Sequence, residues 1–463
     1  MAEIPHAFHA AGGVLLQTIT SNSMNQPAIS RKDFLKNSTL GLAGLTLVPD
    51  ALNAQSQKKH VTSGTSYTLK NVRLETGFEY ENDEVIATRT GLFSIDIENG
   101  KIKQISAGQP PAKAIDAGGM LMLPSFRDMH IHLDKTFYGG PWQAVRKRTG
   151  GVKGMIALEQ KILPDMLKTS TFRAEKLIEL LQSKGTSFAR SHVNIEPTSR
   201  LASLKNLQTA LENRKNTFGA ELVAFPQHGV FYTDTVPFLK EAAKSGIDFI
   251  GGLDPYTIDG AIEKTIDFTV QLALDNGKGI DIHLHESGES GLKTVEYLIS
   301  KVNENPALKG KTYLSHCFVL GRLDKPKQEE IAEKLSAAQI GIASTIPFGG
   351  LIMPIPTLLK HNVKVLTGND SIIDHWNTFG TGSVLAKANL AAQLYGYSTE
   401  FGLSRMLKLA TAGPVPLDDN GVQQWPKAGD DADLVLVDAS CSAEAVARIP
   451  AVKSLVYKGK IVF

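Results

Sequence analysis

At 463 residues the chain can hold one large core and a smaller accessory one, and its 42% apolar and 21% charged content excludes both a disordered chain and a fibre. A formal net charge of +2 supplies no broad basic field for a polyphosphate backbone, which argues against nucleic acid. Only Cys317 and Cys441 are cysteines, so a disulfide framework and a four-cysteine zinc cluster are both excluded, and any metal must be held by His, Asp or Glu.

In chain order, Ser30-Arg31-Lys32-Asp33-Phe34-Leu35-Lys36 precedes a short apolar run, Leu40 to Val48. The run is too short to span a bilayer, and small residues at Ala51 to Ala54 offer a processing region. The order resembles a twin-arginine export signal, with Lys32 in place of the second arginine. Residues 1–54 are therefore read as an export signal leading to the periplasm, with a disordered N-terminus on a cytoplasmic protein as the alternative. Residues 55–65 read as a linker. Tyr67 to Leu74, Leu92 to Ile97 and Ile102 to Ile105 alternate apolar with polar residues, the last two across an Asn99-Gly100 turn, which predicts a β-hairpin. Ala432 to Asp438 and Ser454 to Phe463 have the same character. The expectation is a small β-sandwich domain built from both termini, residues 65–119 and 416–463.

Residues 120–415 alternate short apolar runs with longer amphipathic ones. Candidate strands are Met120–Leu123, Ser187–Val193, Leu222–Pro226, Phe249–Leu253, Gly279–Leu284, Thr312–Ser315, Gly341–Ser344 and Val363–Thr367. Helices are expected between them, for instance over Thr171–Ser183, Ile262–Asn276 and Gln328–Ala338. Such a series closes into an α/β (β/α)8 TIM barrel, whose chemistry gathers at the C-terminal ends of its strands.

Polar residues do gather there. His130 and His132, two apart on an extended segment, point to one side, so both imidazoles can reach one metal. The fifth strand ends in His283-Leu284-His285-Glu286, the sixth in Ser315-His316 and the eighth in Asn369-Asp370. Histidines and an aspartate at separate strand ends predict a metal site. Spacing does not decide between His283 and His285, which share strand parity. Asp134 and Lys135 are read as a pair across their loop.

These residues, with Pro124-Ser125-Phe126, Arg190-Ser191-His192-Val193-Asn194, Ala224-Phe225-Pro226-Gln227 and Asp374-His375-Trp376, give the chain a close resemblance to the amidohydrolase superfamily, in its bacterial cytosine deaminase-like branch. The Leu133-Asp134-Lys135 string is also similar to aminohydrolases of N-substituted triazines. The resemblance implies one divalent metal, Fe2+ or Zn2+, held by His130, His132, His283 and Asp370. The fourth strand ends in Leu253-Asp254 without the lysine that bridges two metals elsewhere in the superfamily.

It further implies that Asp370 accepts the proton of the attacking water, Glu286 delivers a proton to a ring nitrogen, and His316 hydrogen-bonds the developing oxyanion. Gln227 is expected to read a cyclic amide. Trp376 either walls the pocket or fills core, and His192 is a substrate-side candidate with a place behind the ligands or in the core equally open. Ser371 stands where cytosine-specific members carry a second aspartate, and His228 where they show an acid, which points away from cytosine itself. The expected reaction is C–N hydrolysis, by deamination or amine release, on a small cyclic amidine or amide such as a pyrimidine or triazine. Another metal-dependent hydrolysis (of a lactone, amide or phosphoester) and a non-catalytic barrel are the alternatives. The expected partner is a small-molecule substrate, without nucleic acid and without stable membrane insertion once a signal is removed; a homo-oligomer stays open.

Overall fold

The computed structural model describes residues 66–108, 111–147 and 150–463. The segment read as an export signal and the linker after it lie outside these residues. Two sheets organise the described chain. The first joins both ends of the sequence: β1 (Tyr67–Glu81), β2 (Glu84–Glu98), β3 (Lys101–Ser106), β4 (Ile115–Asp116) and β5 (Leu121–Pro124) pair with the later strands β14 (Leu434–Val437), β15 (Val452–Tyr457) and β16 (Lys460–Ile461). Alternation puts Val72, Leu74, Ile95, Ile97 and Ile102 on one face, where they pack with Leu434, Leu436 and Val456. The expected hairpin is present, with Asn99 and Gly100 both at positive φ. A longer β1–β2 hairpin, without an Asn-Gly signal in the sequence, turns on Asn82 and Asp83, also at positive φ. These strands are joined along one hydrogen-bonded path of mixed direction.

The second sheet is parallel and runs β6 (Phe126–Ile131), β7 (Thr186–Asn194), β8 (Gly219–Phe225), β9 (Phe249–Leu253), β10 (Gly279–His283), β11 (Thr312–Ser315), β12 (Ile340–Ser344), β13 (Val365–Thr367) in sequential order. Seven of the eight expected strands fall here within a few residues. The first does not: Leu121–Pro124 joins the terminal sheet, antiparallel to β14, and the barrel begins with Phe126–Ile131. An apolar run buried on both faces fits either sheet, and only the pairing partner decides. Helices pack outside, among them α1 (Gly151–Leu167) and α2 (Ser170–Ser183) between β6 and β7. Outward strand residues such as Ala189, Val193, Ile250, Ile280, Ile282, Leu314 and Ile342 meet that shell in one continuous core.

The barrel closes between β13 and β6. The Asp370 N–H donates to His130 O at 2.7 Å, and the His132 N–H donates to Asp370 O at 3.0 Å. Closure demands a glycine just before: a Cβ on Gly368 would lie 2.3 Å from His130 O and 2.4 Å from His130 N. Asp128 locks the same seam, accepting from the Asn369 backbone N–H at 3.1 Å and from Asn369 Nδ2 at 2.7 Å. The two sequence motifs that supply site residues from the first and last strands are therefore joined edge to edge. Among the described residues, no helix is long and apolar enough to cross a membrane.

Candidate metal centre and active site

Inward-pointing residues of the barrel change character along its axis. Low in the barrel, Met129, Val223, Phe249, Tyr313, Ala343 and Leu366 pack together. The Arg190 guanidinium lies against Phe249 and Tyr313, at 4.1 and 4.2 Å from the ring centroids, and pairs with Asp281 at 3.1 Å and Glu221 at 2.9 Å. Above this layer the inward residues are histidines.

His130, His132, His283 and Asp370 each offer one ligand atom, and all four atoms lie within 4.8 Å of one another. Asp370 Oδ1 is 3.3 Å from His130 Nε2 and 3.4 Å from His132 Nε2, and the His132 and His283 Nε2 atoms are 3.4 Å apart. Atoms bound at zinc–nitrogen and zinc–oxygen lengths around a tetrahedral centre stand about 3.3–3.6 Å apart, so these separations fit one small cation. The tautomers fit as well. His132 Nδ1 donates to the His192 carbonyl at 3.0 Å, leaving Nε2 with a bare lone pair. The Ser315 hydroxyl gives its hydrogen to Asp281 Oδ1 at 2.6 Å and so accepts from His130 Nδ1 at 2.9 Å, which again leaves Nε2 bare. His130 Nε2 is buried and has no hydrogen-bond partner.

Protonation states agree with that reading. Burial, then the charge of Lys135, pushes His132 down to about 3, and burial holds His283 and His316 well below the ordinary imidazole range. Burial works against ionising Asp370, but the imidazoles of His316, His130 and His132 outweigh it and keep the carboxyl well below its usual value. Neutral imidazoles and an ionised carboxylate are the forms a divalent cation requires.

Beside the ligands is a cavity of about 60 Å³ lined by His132, His283, His316, Asp370, Gln227, Ser371 and Trp376, all singled out from the sequence. Lys135, Val152, Phe225, Leu253 and His285 complete the lining. Two expected residues stand elsewhere. His192 is fully buried, its ring centroid 4.3 Å from that of His130, and its carbonyl accepts from His132 Nδ1. Glu286 lies outside the lining: Oε1 accepts from the N–H groups of Tyr256 and Thr257 at 2.9 and 2.7 Å, while Oε2 is buried without a partner.

The strand ends explain both the ambiguity at His283 and its resolution. β10 stops at His283, and Asp254 then captures the turn: Oδ1 accepts from the His285 N–H at 2.6 Å and Oδ2 pairs with His285 Nδ1 at 2.9 Å. His285 thus faces the cavity instead of the ligand set; burial lowers its pKa, but Asp254 outweighs burial and raises it. Lys135 does not hydrogen-bond Asp134. Its buried ammonium donates to Gln227 Oε1, and Asp134 Oδ2 accepts from the Asn194 N–H at 2.9 Å. A lysine after an acid in a loop reads as a surface pair, so no local signal identified it as part of the lining. A larger cavity of about 330 Å³ lies beyond His375, between Phe137, Arg146, Arg173 and α1, and contains none of the four ligands.

The sequence profile of the amidohydrolase family matches residues 176–463. The chain is 47% identical over 450 residues to the uncharacterized protein YahJ of Escherichia coli, covering 94% of this chain and 98% of that one. The crystal structure of N-isopropylammelide isopropylaminohydrolase from Burkholderia multivorans superposes with a TM-score of 0.75 at 28% identity, covering 86% of this chain and 98% of that one. That of 5-methylcytosine deaminase from Klebsiella pneumoniae gives 0.70 at 23%, covering 86% and 97%. With a barrel of matching architecture and a histidine–aspartate cluster at its mouth, the chain belongs to the amidohydrolase family, as a hydrolase of carbon–nitrogen bonds other than peptide bonds.

Proposed function

We propose that this protein is a mononuclear metal-dependent aminohydrolase that releases ammonia or an amine from a small cyclic amidine or amide of the pyrimidine or triazine type. The observation that carries the reading is the convergence of His130, His132, His283 and Asp370 beside a small cavity. Relatives named for N-isopropylammelide, pterin and 5-methylcytosine support a ring substrate. Those four residues would hold one Fe2+ or Zn2+, which when bound supplies Lewis acidity and lowers the pKa of water from 15.7 to roughly 7.

The chain's own groups do the rest. Asp370 accepts the proton of the attacking water. His316, neutral and at the cavity wall, hydrogen-bonds the oxyanion. Because Lys135 occupies Gln227 Oε1, the carboxamide is fixed with its NH2 free to donate to a substrate carbonyl. Trp376 walls the ring, and Ser371 replaces the acid that a cytosine amine would meet. Glu286, with one oxygen unpartnered, delivers the ring-nitrogen proton. A second reading gives that step to His285, which lines the cavity where Glu286 does not and is backed by Asp254.

Elemental analysis with a screen of ammonia and amine release over cytosine, 5-methylcytosine, N-isopropylammelide and pterin tests the function. About one iron or zinc per chain with turnover of one ring class is the expected result; a protein purified from metal-supplemented medium without metal would refute it. Loss of turnover in Glu286→Gln with metal retained assigns the proton to Glu286, and loss only in His285→Gln assigns it to His285. Export by a twin-arginine-type route belongs to the same proposal, resting on Ser30-Arg31-Lys32 and the apolar run after it. Fractionation of the expressing cells checks it, with protein confined to the cytoplasm as the contrary outcome.

A further inference from the structure

Glu159, midway along α1, is completely buried, a rare place for a carboxylate unless other groups pay its desolvation. Here the donors come from two separate segments, the loop after β13 and the end of β7. Oε2 accepts from His375 Nε2 at 2.7 Å and from Trp376 Nε1 at 3.1 Å, both on the segment after β13. Oε1 accepts from Asn194 Nδ2 at the end of β7, and His228 Nε2, after β8, is 3.8 Å from the same oxygen. Burial raises the Glu159 carboxyl, but the charges of Lys135 and His375 outweigh burial and keep it well below the ordinary range. None of these bonds is needed to close the barrel, which is sealed at Gly368 and Asp128. They converge on the cavity: Trp376 and Lys135 line it, and so does Val152, two helical turns before Glu159 on the same face of α1.

We propose that Glu159 is a positioning residue of the hydrolytic site, fixing the Trp376 indole as one wall of the substrate cavity and fastening α1 over it. The inference rests on the reading of this cavity as the substrate site. The indole N–H donates to an oxygen of a completely buried carboxylate, so loss of that acceptor leaves the donor without its partner, and the ring turns to recover one. Glutamine at 159 keeps the shape but presents an NH2 group to donors on one side or the other.

The test uses the full-length, zinc-loaded protein with Trp142→Phe and Trp425→Phe, which leaves Trp376 as its single indole among the chain's three tryptophans. In that background Glu159→Gln is expected to keep its zinc and a cooperative melt, to shift Trp376 emission to the red and to open the indole to acrylamide. With N-isopropylammelide, or cytosine if that is the ring turned over, KM is expected to rise roughly tenfold with kcat within about threefold, the pattern of a lost binding wall. A folded, zinc-loaded Glu159→Gln whose Trp376 emission and quenching match the parent overturns the proposal. The fluorescence arm needs no substrate, so failure of the ring-substrate reading is distinguishable from failure of this one. If Glu159→Gln does not fold, Trp376→Phe decides: an unchanged KM overturns the indole wall, and a rise with zinc retained supports it.

Discussion

The mouth of the barrel and the terminal sheet are built from the same chain by opposite rules. The sheet core is aliphatic, with Val72, Ile95, Ile97, Ile102, Leu434 and Val456 interlocked and their polar groups spent on the ladder. At the mouth, His130 Nε2, His283 Nδ1, His316 Nδ1 and Glu286 Oε2 are buried without hydrogen-bond partners. His316 and Asp370 also adopt left-handed backbone, at φ of 65° and 63°. Such groups cost stability and persist because the surrounding barrel holds them. One region contributes stability, and the other spends it on a site that a cation completes.

That contrast can be broken in order of effect. His130→Ala removes a ligand from the mouth and should lower zinc affinity and activity by at least about three orders of magnitude while the apo melt changes little, as elemental analysis and calorimetry would show. Unfolding in place of metal loss would erase the distinction between the regions. Ile97→Ala, deep in the sheet, should cost about 2–5 kcal/mol in denaturant melts, with metal stoichiometry of the folded fraction unchanged. Loss of metal there would show the regions to be coupled.

Ser315→Ala sharpens the comparison without touching a ligand. It cuts the link from His130 Nδ1 to Asp281, itself paired with Arg190, and should weaken zinc about 10–100-fold in chelator competition. The last contrast is the pH dependence of the metal-free protein. His132 is pushed down to about 3 in the fold, so between pH 6.5 and about 3 the unfolded chain binds a proton that the folded one refuses. Stability therefore falls as pH falls through that window, by about 1.4 kcal/mol per pH unit from His132 alone. His285 has the opposite sign: its raised pKa contributes stability that is fully present below about 6.5 and is lost as pH rises through the folded value. Urea melts from pH 8 to 5 in the parent and in His132→Phe would separate the two.

Much of the barrel was legible because its signals are local. β9 and β11 were read at their observed bounds, since a parallel strand buried on both faces is a short unbroken apolar run. The metal cluster was legible because strand parity places alternate residues on one side, and a histidine or aspartate at several strand ends has few structural explanations. Sequence by itself thus indicated the barrel, gathered histidines and an aspartate at its strand ends, and with two cysteines excluded a four-cysteine cluster. Tertiary structure alone decided which sheet Leu121–Pro124 joins and that Lys135 reaches Gln227 inside the cavity, while the choice of His283 over His285, open on spacing, came from the family resemblance. It also drew Glu159 in from a helix whose pattern marks the position only as polar. The physical reason is common to these cases: periodicity fixes which face a side chain leaves from, while its partner is set by which distant strand end or loop arrives there, and no local pattern encodes that.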